Sequence, residues 1–240
     1  MIYLDKEKTK PVNIEIEKEG ALYEGFYLLK EKTTYYVYGD IKVHACTGMI
    51  VKAYDNVTVD AGGEAIVFAY QNATVDAYHN ATIYSYEYAT VNATCLKGIV
   101  NAYGYSKVNS SCCKKIIAYN YVRVNANGSK VKAYHAVQVI CHDSTVDSYD
   151  EATVHAYHKS TVWGNDKSTV HVHGTARITK EDKSKVYSFK NSIMKNLDKQ
   201  LDYQTWSGQA IHLQHSSTAY AYGSCSVDMH NQEDSPEFID

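Results

Sequence analysis

From Thr34 to residue 189 the chain repeats one short pattern of small, β-branched and polar residues. Two consecutive units read Asn72-Ala-Thr-Val-Asp-Ala-Tyr-His79 and Asn80-Ala-Thr-Ile-Tyr-Ser-Tyr-Glu87. The central β-branched residue recurs at Val43, Val51, Val59, Val67, Val75, Ile83 and Val91 and continues to Val186, nearly always eight residues apart, with single steps of seven or nine. Alternation within a unit sends Ala73, Val75 and Ala77 to one face and Thr74 and Asp76 to the other. So short an alternation, closed by polar residues, predicts one strand and one turn per unit.

The position three residues after the centre shows how many units make a coil. Every second unit places tyrosine there, at Tyr38, Tyr54, Tyr70, Tyr86, Tyr103, Tyr119, Tyr134 and Tyr149. The intervening units are mixed, with Cys46, Gly62, Tyr78, Thr94 and Ser111. The position just after the centre divides the same way, into Asp60, Asp76, Asn92 and Asn109 against Lys52, Phe68, Tyr84 and Ile117. Two alternating environments predict two sheets. The expected architecture is an all-β, flattened two-sheet parallel β-solenoid (a β-helix) of 16 residues per coil and about ten coils, with terminal caps and a rise of about 4.8 Å per coil. Residues 1–33 read as an N-terminal cap and 34–189 as the solenoid. Residues 190–232 read as degenerate coils forming a C-terminal cap, and 233–240 as an acidic tail. Caps are expected because an open solenoid end is an unpaired strand edge.

Composition supports strands. The 240 residues include 23 Tyr and 23 Val but only 8 Leu and 2 Pro, both prolines lying outside the repeat. Valine and tyrosine favour strands, and a chain without proline keeps every ladder N–H. With 24 Lys+Arg against 27 Asp+Glu, bulk charge gives no drive toward nucleic acid, so a nucleic-acid partner is not expected. The start lacks the apolar run of a secretion signal and no stretch reaches membrane-span length. This predicts a soluble protein of a reducing bacterial cytoplasm, with no membrane association. The six cysteines lack CxxC spacing, which excludes a zinc ribbon. Cys95 and Cys112 fall one coil apart and are expected as a thiol pair.

The Ala-Thr-Val-x-Ala-Tyr units resemble the alanine- and tyrosine-rich octapeptide-repeat β-solenoid proteins of bacteria and bacteriophages, over roughly residues 34–189. The resemblance implies a β-helical rod and a phage or prophage setting. It carries over no catalytic residue, because the shared motif is structural.

No phosphate-binding glycine loop or nucleophile elbow is present, and β-helical acyltransferases use a longer coil, so neither an enzyme nor a cofactor is expected. His155 and His171 share one outward position a coil apart, and His173 follows on the same face. Three imidazoles so placed form a candidate metal site, set against ordinary surface histidines. The Thr58, Thr74 and Thr90 column resembles the flat arrays of ice-binding solenoids, but Asp60 and Asp76 interrupt it. Lys107, Lys114, Lys115, Arg123, Lys130 and Lys132 gather within a few coils as a candidate phosphate contact, set against a solvated charged face.

The other sheet carries the stronger signal. Ile50, Ile66, Phe68, Tyr84, Ile99 and Ile117 are expected to point outward beside the tyrosine column. A contiguous apolar stripe on a soluble rod marks an interface. The candidate partner-binding residues are Ile66, Phe68, Tyr70, Tyr84, Tyr86, Tyr103, Ile117 and Tyr119. They would serve a protein partner, self-association, or a covering pass of a terminal segment. The expected function is a non-enzymatic, phage-associated binding or scaffold protein. Its alternatives are an inhibitor of a host defence system and a virion or fibre component, with a metal-binding protein or enzyme behind them.

Overall fold

The structure, a computed structural model, describes residues 2–4, 6–9, 33–94, 97–173 and 175–178 with their side chains. It describes the backbone alone for 26–28, 179–180 and seven later strands, from Lys185–Phe189 to Glu237–Ile239. The chain is a two-sheet parallel β-solenoid, and no helix occurs among the described residues. It divides into two compact units. Unit 1 comprises residues 1–117 and 121–123, and unit 2 comprises 118–120 and 124–240.

In unit 1 the first sheet holds Ile2–Tyr3, Thr34–Val37, Ile50–Ala53, Ile66–Ala69, Thr82–Ser85 and Ile99–Ala102 in that order. The second sheet holds Phe26–Leu28, Lys42–Ala45, Thr58–Ala61, Thr74–Tyr78, Thr90–Thr94 and Lys107–Ser111. Consecutive strands in the chain therefore alternate between sheets, which is the two-environment pattern of the sequence. Registers are parallel and step by 16 residues, as in Ile50 opposite Ile66 and Thr58 opposite Thr74. The step lengthens to 17 between Thr90 and Lys107. In unit 2 it shortens to 15 between Lys130 and Thr145 and returns to 16 between Thr153 and Thr169.

Burial follows the period of two. Val43, Val51, Val59, Val67 and Val75 are wholly buried, as are the flanking Ala65, Ala69 and Ala73. Small flanks let the two sheets approach closely around each valine. Serine replaces alanine at some buried corners and is satisfied there. Ser106 Oγ donates to the Tyr103 carbonyl at 3.0 Å and lies 3.2 Å from Ser85 Oγ.

The turns explain the polar residue after each tyrosine. Asp55, Gln71 and Glu87 have φ of 60°, 55° and 57°, a left-handed conformation that costs a non-glycine residue about 1 kcal/mol. Their side chains offset that cost by capping the turn of the preceding coil. Gly39 N–H donates to Asp55 Oδ2 at 3.0 Å, and Gln71 N–H donates to Glu87 Oε2 at 3.1 Å. In unit 2 the same ladder runs from His135 N–H to Asp150 Oδ2 and from Asp150 N–H to Asp166 Oδ2, at 3.0 and 3.2 Å.

The pairing reaches beyond residues 34–189. Phe26–Leu28 pairs in parallel with Lys42–His44, within the stretch expected as a cap. Ile2–Tyr3 runs antiparallel to Tyr36–Val37, reversing the edge of the first sheet, and Ile2 is buried. In unit 2, Glu237–Ile239 of the expected acidic tail pairs with Tyr220–Tyr222.

Candidate interaction surface

Three outward columns run along the first sheet of unit 1. One holds Thr34, Ile50, Ile66, Thr82 and Ile99 in register. The second holds Tyr36, Lys52, Phe68, Tyr84 and Asn101. The third is the tyrosine column at the strand ends, where Tyr38, Tyr54, Tyr70, Tyr86 and Tyr103 stack with ring centroids 4.7 to 5.2 Å apart. The ladder sets this spacing, because one ring per coil at strand separation falls at stacking distance.

All these apolar side chains are half-buried. Phe68 and Tyr84 stack at 4.8 Å and an 8° interplanar angle. Lys52 lies with its ammonium 5.0 Å from the Tyr36 ring centre and 5.9 Å from that of Phe68, and donates to Tyr36 Oη at 3.5 Å. Each ring is thus fixed by the one above and below. Burial and the neighbouring phenols push Tyr54 up to about 12, and the same causes raise Tyr86, so these phenols stay neutral donors at physiological pH.

Of the residues expected to bind a partner, Ile66, Phe68, Tyr70, Tyr84, Tyr86 and Tyr103 fall on this face. Ile117 belongs to unit 1 and is half-buried on the strand Lys115–Tyr119. Tyr119 belongs to unit 2, where it stacks on Tyr134 at 5.0 Å.

The second sheet of unit 1 presents a different face. Thr58, Thr74 and Thr90 align beside Asp60, Asp76, Asn92 and Asn109. Here polar groups answer one another. Asn92 Nδ2 donates to Asp76 Oδ1 and Asn109 Nδ2 donates to Asn92 Oδ1, both at 2.9 Å. Gly62 leaves a gap that the Tyr78 ring fills, since a Cβ at Gly62 would lie 2.6 Å from Tyr78 Cε2. Tyr78 Oη thereby comes within 3.4 Å of His44 Nδ1, which lies 3.5 Å from Asp60 Oδ2. Burial, with a hydrogen bond to Asp60, raises the Tyr78 phenol.

In unit 2 the expected histidines do come together. His155 and His171 stack at 4.4 Å and 5°, and His173 stacks on Tyr157 at 4.4 Å and 6°. Face-to-face imidazoles aim their nitrogens in parallel, whereas a metal needs them convergent. Among the described residues no group of three His, Cys, Asp or Glu side chains is placed to hold a metal ion. Burial lowers all three histidines, and repulsion from the neighbouring imidazoles lowers His171 and His173 further.

The lysines and arginine divide between faces. Lys107 and Arg123 project from the second sheet, while Lys115, Lys130 and Lys132 lie on first-sheet strands. Lys132 pairs with Asp147 at 3.4 Å. Cys46, Cys112, Cys113 and Cys141 are in the thiol form, not in disulfides, and burial pushes Cys141 up to about 11. Cys95, and with it the expected thiol pair, lies outside the described residues.

One feature escapes the octad pattern. Tyr88, Tyr105 and Tyr121 are 64 %, 57 % and 57 % exposed and form a second stacked ladder in unit 1, with centroids 5.5 and 5.0 Å apart. The signal was Tyr-x-Tyr at 86–88, 103–105 and 119–121, two residues beyond the column that the octad period follows. No protein-family model matches the chain, and neither a curated protein nor a solved structure matches it.

Proposed function

We propose that the protein is a non-enzymatic β-solenoid binding or scaffold protein that works through a protein–protein surface. That surface is the outer face of the first sheet in unit 1. The observation that carries this reading is the set of three adjoining columns, aliphatic, mixed aromatic and tyrosine, held in register by the ladder. Aromatic side chains bury much area with few rotatable bonds, so little entropy is lost when a partner holds them. Stacked rings on a sheet are already organised, which lowers the cost of association. Neutral phenols supply hydrogen bonds along one margin. The resemblance to octapeptide-repeat proteins adds a bacteriophage setting, in which such a surface serves a protein of the bacterial host or another copy of this chain.

The test is the double substitution Phe68→Glu with Tyr84→Glu. Both side chains project from the sheet, so circular dichroism is expected to stay unchanged while association, read by sedimentation velocity and by capture from bacterial lysate, is lost. An unfolded double variant would mean that the face packs within the chain, and the reading would fall.

A further inference from the structure

The exposed ladder Tyr88–Tyr105–Tyr121 lies in the turns of unit 1 that lead from the first sheet to the second, two residues beyond the tyrosine column. Its spacing is fixed by the backbone. Tyr105 N–H donates to the Glu87 carbonyl at 2.8 Å, and Tyr121 N–H donates to the Gly104 carbonyl at 3.0 Å. Gly104 permits this tight stacking, with φ of 72° and a position where a Cβ would meet the Glu87 backbone nitrogen at 3.1 Å. Tyr105 is covered on both faces and Tyr88 and Tyr121 on one each, so the ladder offers solvent mainly ring edges and hydroxyls. Ring edges carry the positive part of the aromatic quadrupole. Two residues beyond each of the last two tyrosines stand Lys107 and Arg123, exposed on the second sheet. Lys107 N–H donates to the Ala89 carbonyl and Arg123 N–H to the Ser106 carbonyl, so the two residues take equivalent positions one coil apart. Among the described residues no carboxylate forms an ion pair with either. The one carboxylate in the same turns, Glu87, accepts from Gln71 N–H in the preceding coil.

Apart from the Glu87 carboxylate at one end, the groups at this corner present positive potential: ring edges, phenol donors, an ammonium and a guanidinium. We infer that it is a docking site for an acidic, extended protein segment laid along the ladder, with its carboxylates on Lys107 and Arg123 and on the tyrosine hydroxyls. Nucleobases fit less well. A base inserted between two rings needs them about 7 Å apart, roughly twice the 3.5–4.0 Å aromatic contact distance, and these stand at 5.0 and 5.5 Å.

The probe is a fluorescent glutamate-rich peptide of about 15 residues, followed by anisotropy on the full chain, with oligothymidylate of the same length as comparison. The site predicts saturable peptide binding that weakens as salt screens the charges. Lys107→Glu with Arg123→Glu should weaken it by roughly tenfold or more. Tyr105→Ala with Tyr121→Ala should weaken it as well, and Phe68→Glu with Tyr84→Glu should leave it unchanged. That last variant separates this site from the first-sheet face, so either can fail alone. Absence of saturable binding, full binding by the charge-reversed variant, or tighter binding of oligothymidylate than of peptide would each overturn the inference. The charge-reversed pair alters only exposed side chains, and its result stands even if the tyrosine pair fails to fold.

Discussion

The two outer faces of unit 1 share a core, a register and a repeat, yet differ in what they leave unanswered. On the second sheet, Asp76, Asn92 and Asn109 bond to one another, and Tyr78 fills the gap over Gly62 to reach His44. On the first sheet, Ile50, Ile66, Phe68 and Tyr84 are half-buried apolar side chains on the outer face. Polar groups in a ladder satisfy each other along the coil axis, whereas an aliphatic or aromatic column gains most when a second surface excludes water from it. The inward residues thus determine the fold, and the outward columns distinguish a quiet face from one suited to contact.

The largest expected effect separates inside from outside. Ala77 is 1 % exposed, where the sheets meet, so Ala77→Leu should overpack the core and destabilise by roughly 1–3 kcal/mol. Thr74→Leu, three residues earlier and outward, should shift the urea midpoint only slightly. Equal shifts would contradict the assignment of faces.

A smaller effect probes the quiet face. Asn92→Asp replaces the amide that bridges Asp76 and Asn109 with a second carboxylate beside Asp76. Like charges opposed across a ladder, with one donor lost, should cost about 1 kcal/mol at neutral pH. The loss should recover as pH falls below the carboxylate range. A pH-independent difference would show that the column is not coupled electrostatically.

The smallest effect belongs to unit 2, where the second sheet carries histidines in place of that Asp/Asn column. His155, His171 and His173 are lowered by burial, and the last two by repulsion from neighbouring imidazoles as well. A histidine lowered in the folded state takes up protons more readily when unfolded. Its contribution is therefore present above the ordinary value near 6.5 and is lost as pH falls through that value toward the folded one. Corrected for the pH dependence of intrinsic amide exchange, hydrogen exchange in Thr153–His173 should accelerate as pH falls from 7.5 to 5, with little change in Thr58–Thr94 over the same range. Matching acceleration in both segments would remove the histidine stack as the cause.

The sequence carried the fold because the repeat is short and regular. Val and Ala at every second position determine the inward face, and the tyrosine at alternate octads sets the coil at two strands. The apolar stripe was legible for the same reason, since Ile66, Phe68 and Tyr84 interrupt positions that are polar on the other sheet. Three things were less legible. Octad spacing placed the histidines side by side, but ring orientation depends on side-chain torsions, and the rings stack. Proximity along the chain gathered Lys107, Lys115, Arg123 and Lys130, while strand alternation sends neighbouring octads to opposite sheets. The exposed Tyr88–Tyr105–Tyr121 ladder sits on the turn, where a strand pattern gives no direction.

The most direct measurement compares the two faces in one experiment. Wild-type protein, Phe68→Glu with Tyr84→Glu, and Thr58→Glu with Thr74→Glu are matched by circular dichroism, then followed by sedimentation velocity and by quantitative capture from bacterial lysate. The account predicts that association is lost in the first double variant and retained in the second. Equal association by both variants, or loss confined to the threonine variant, would contradict the claim that the first-sheet face of unit 1 is the working surface.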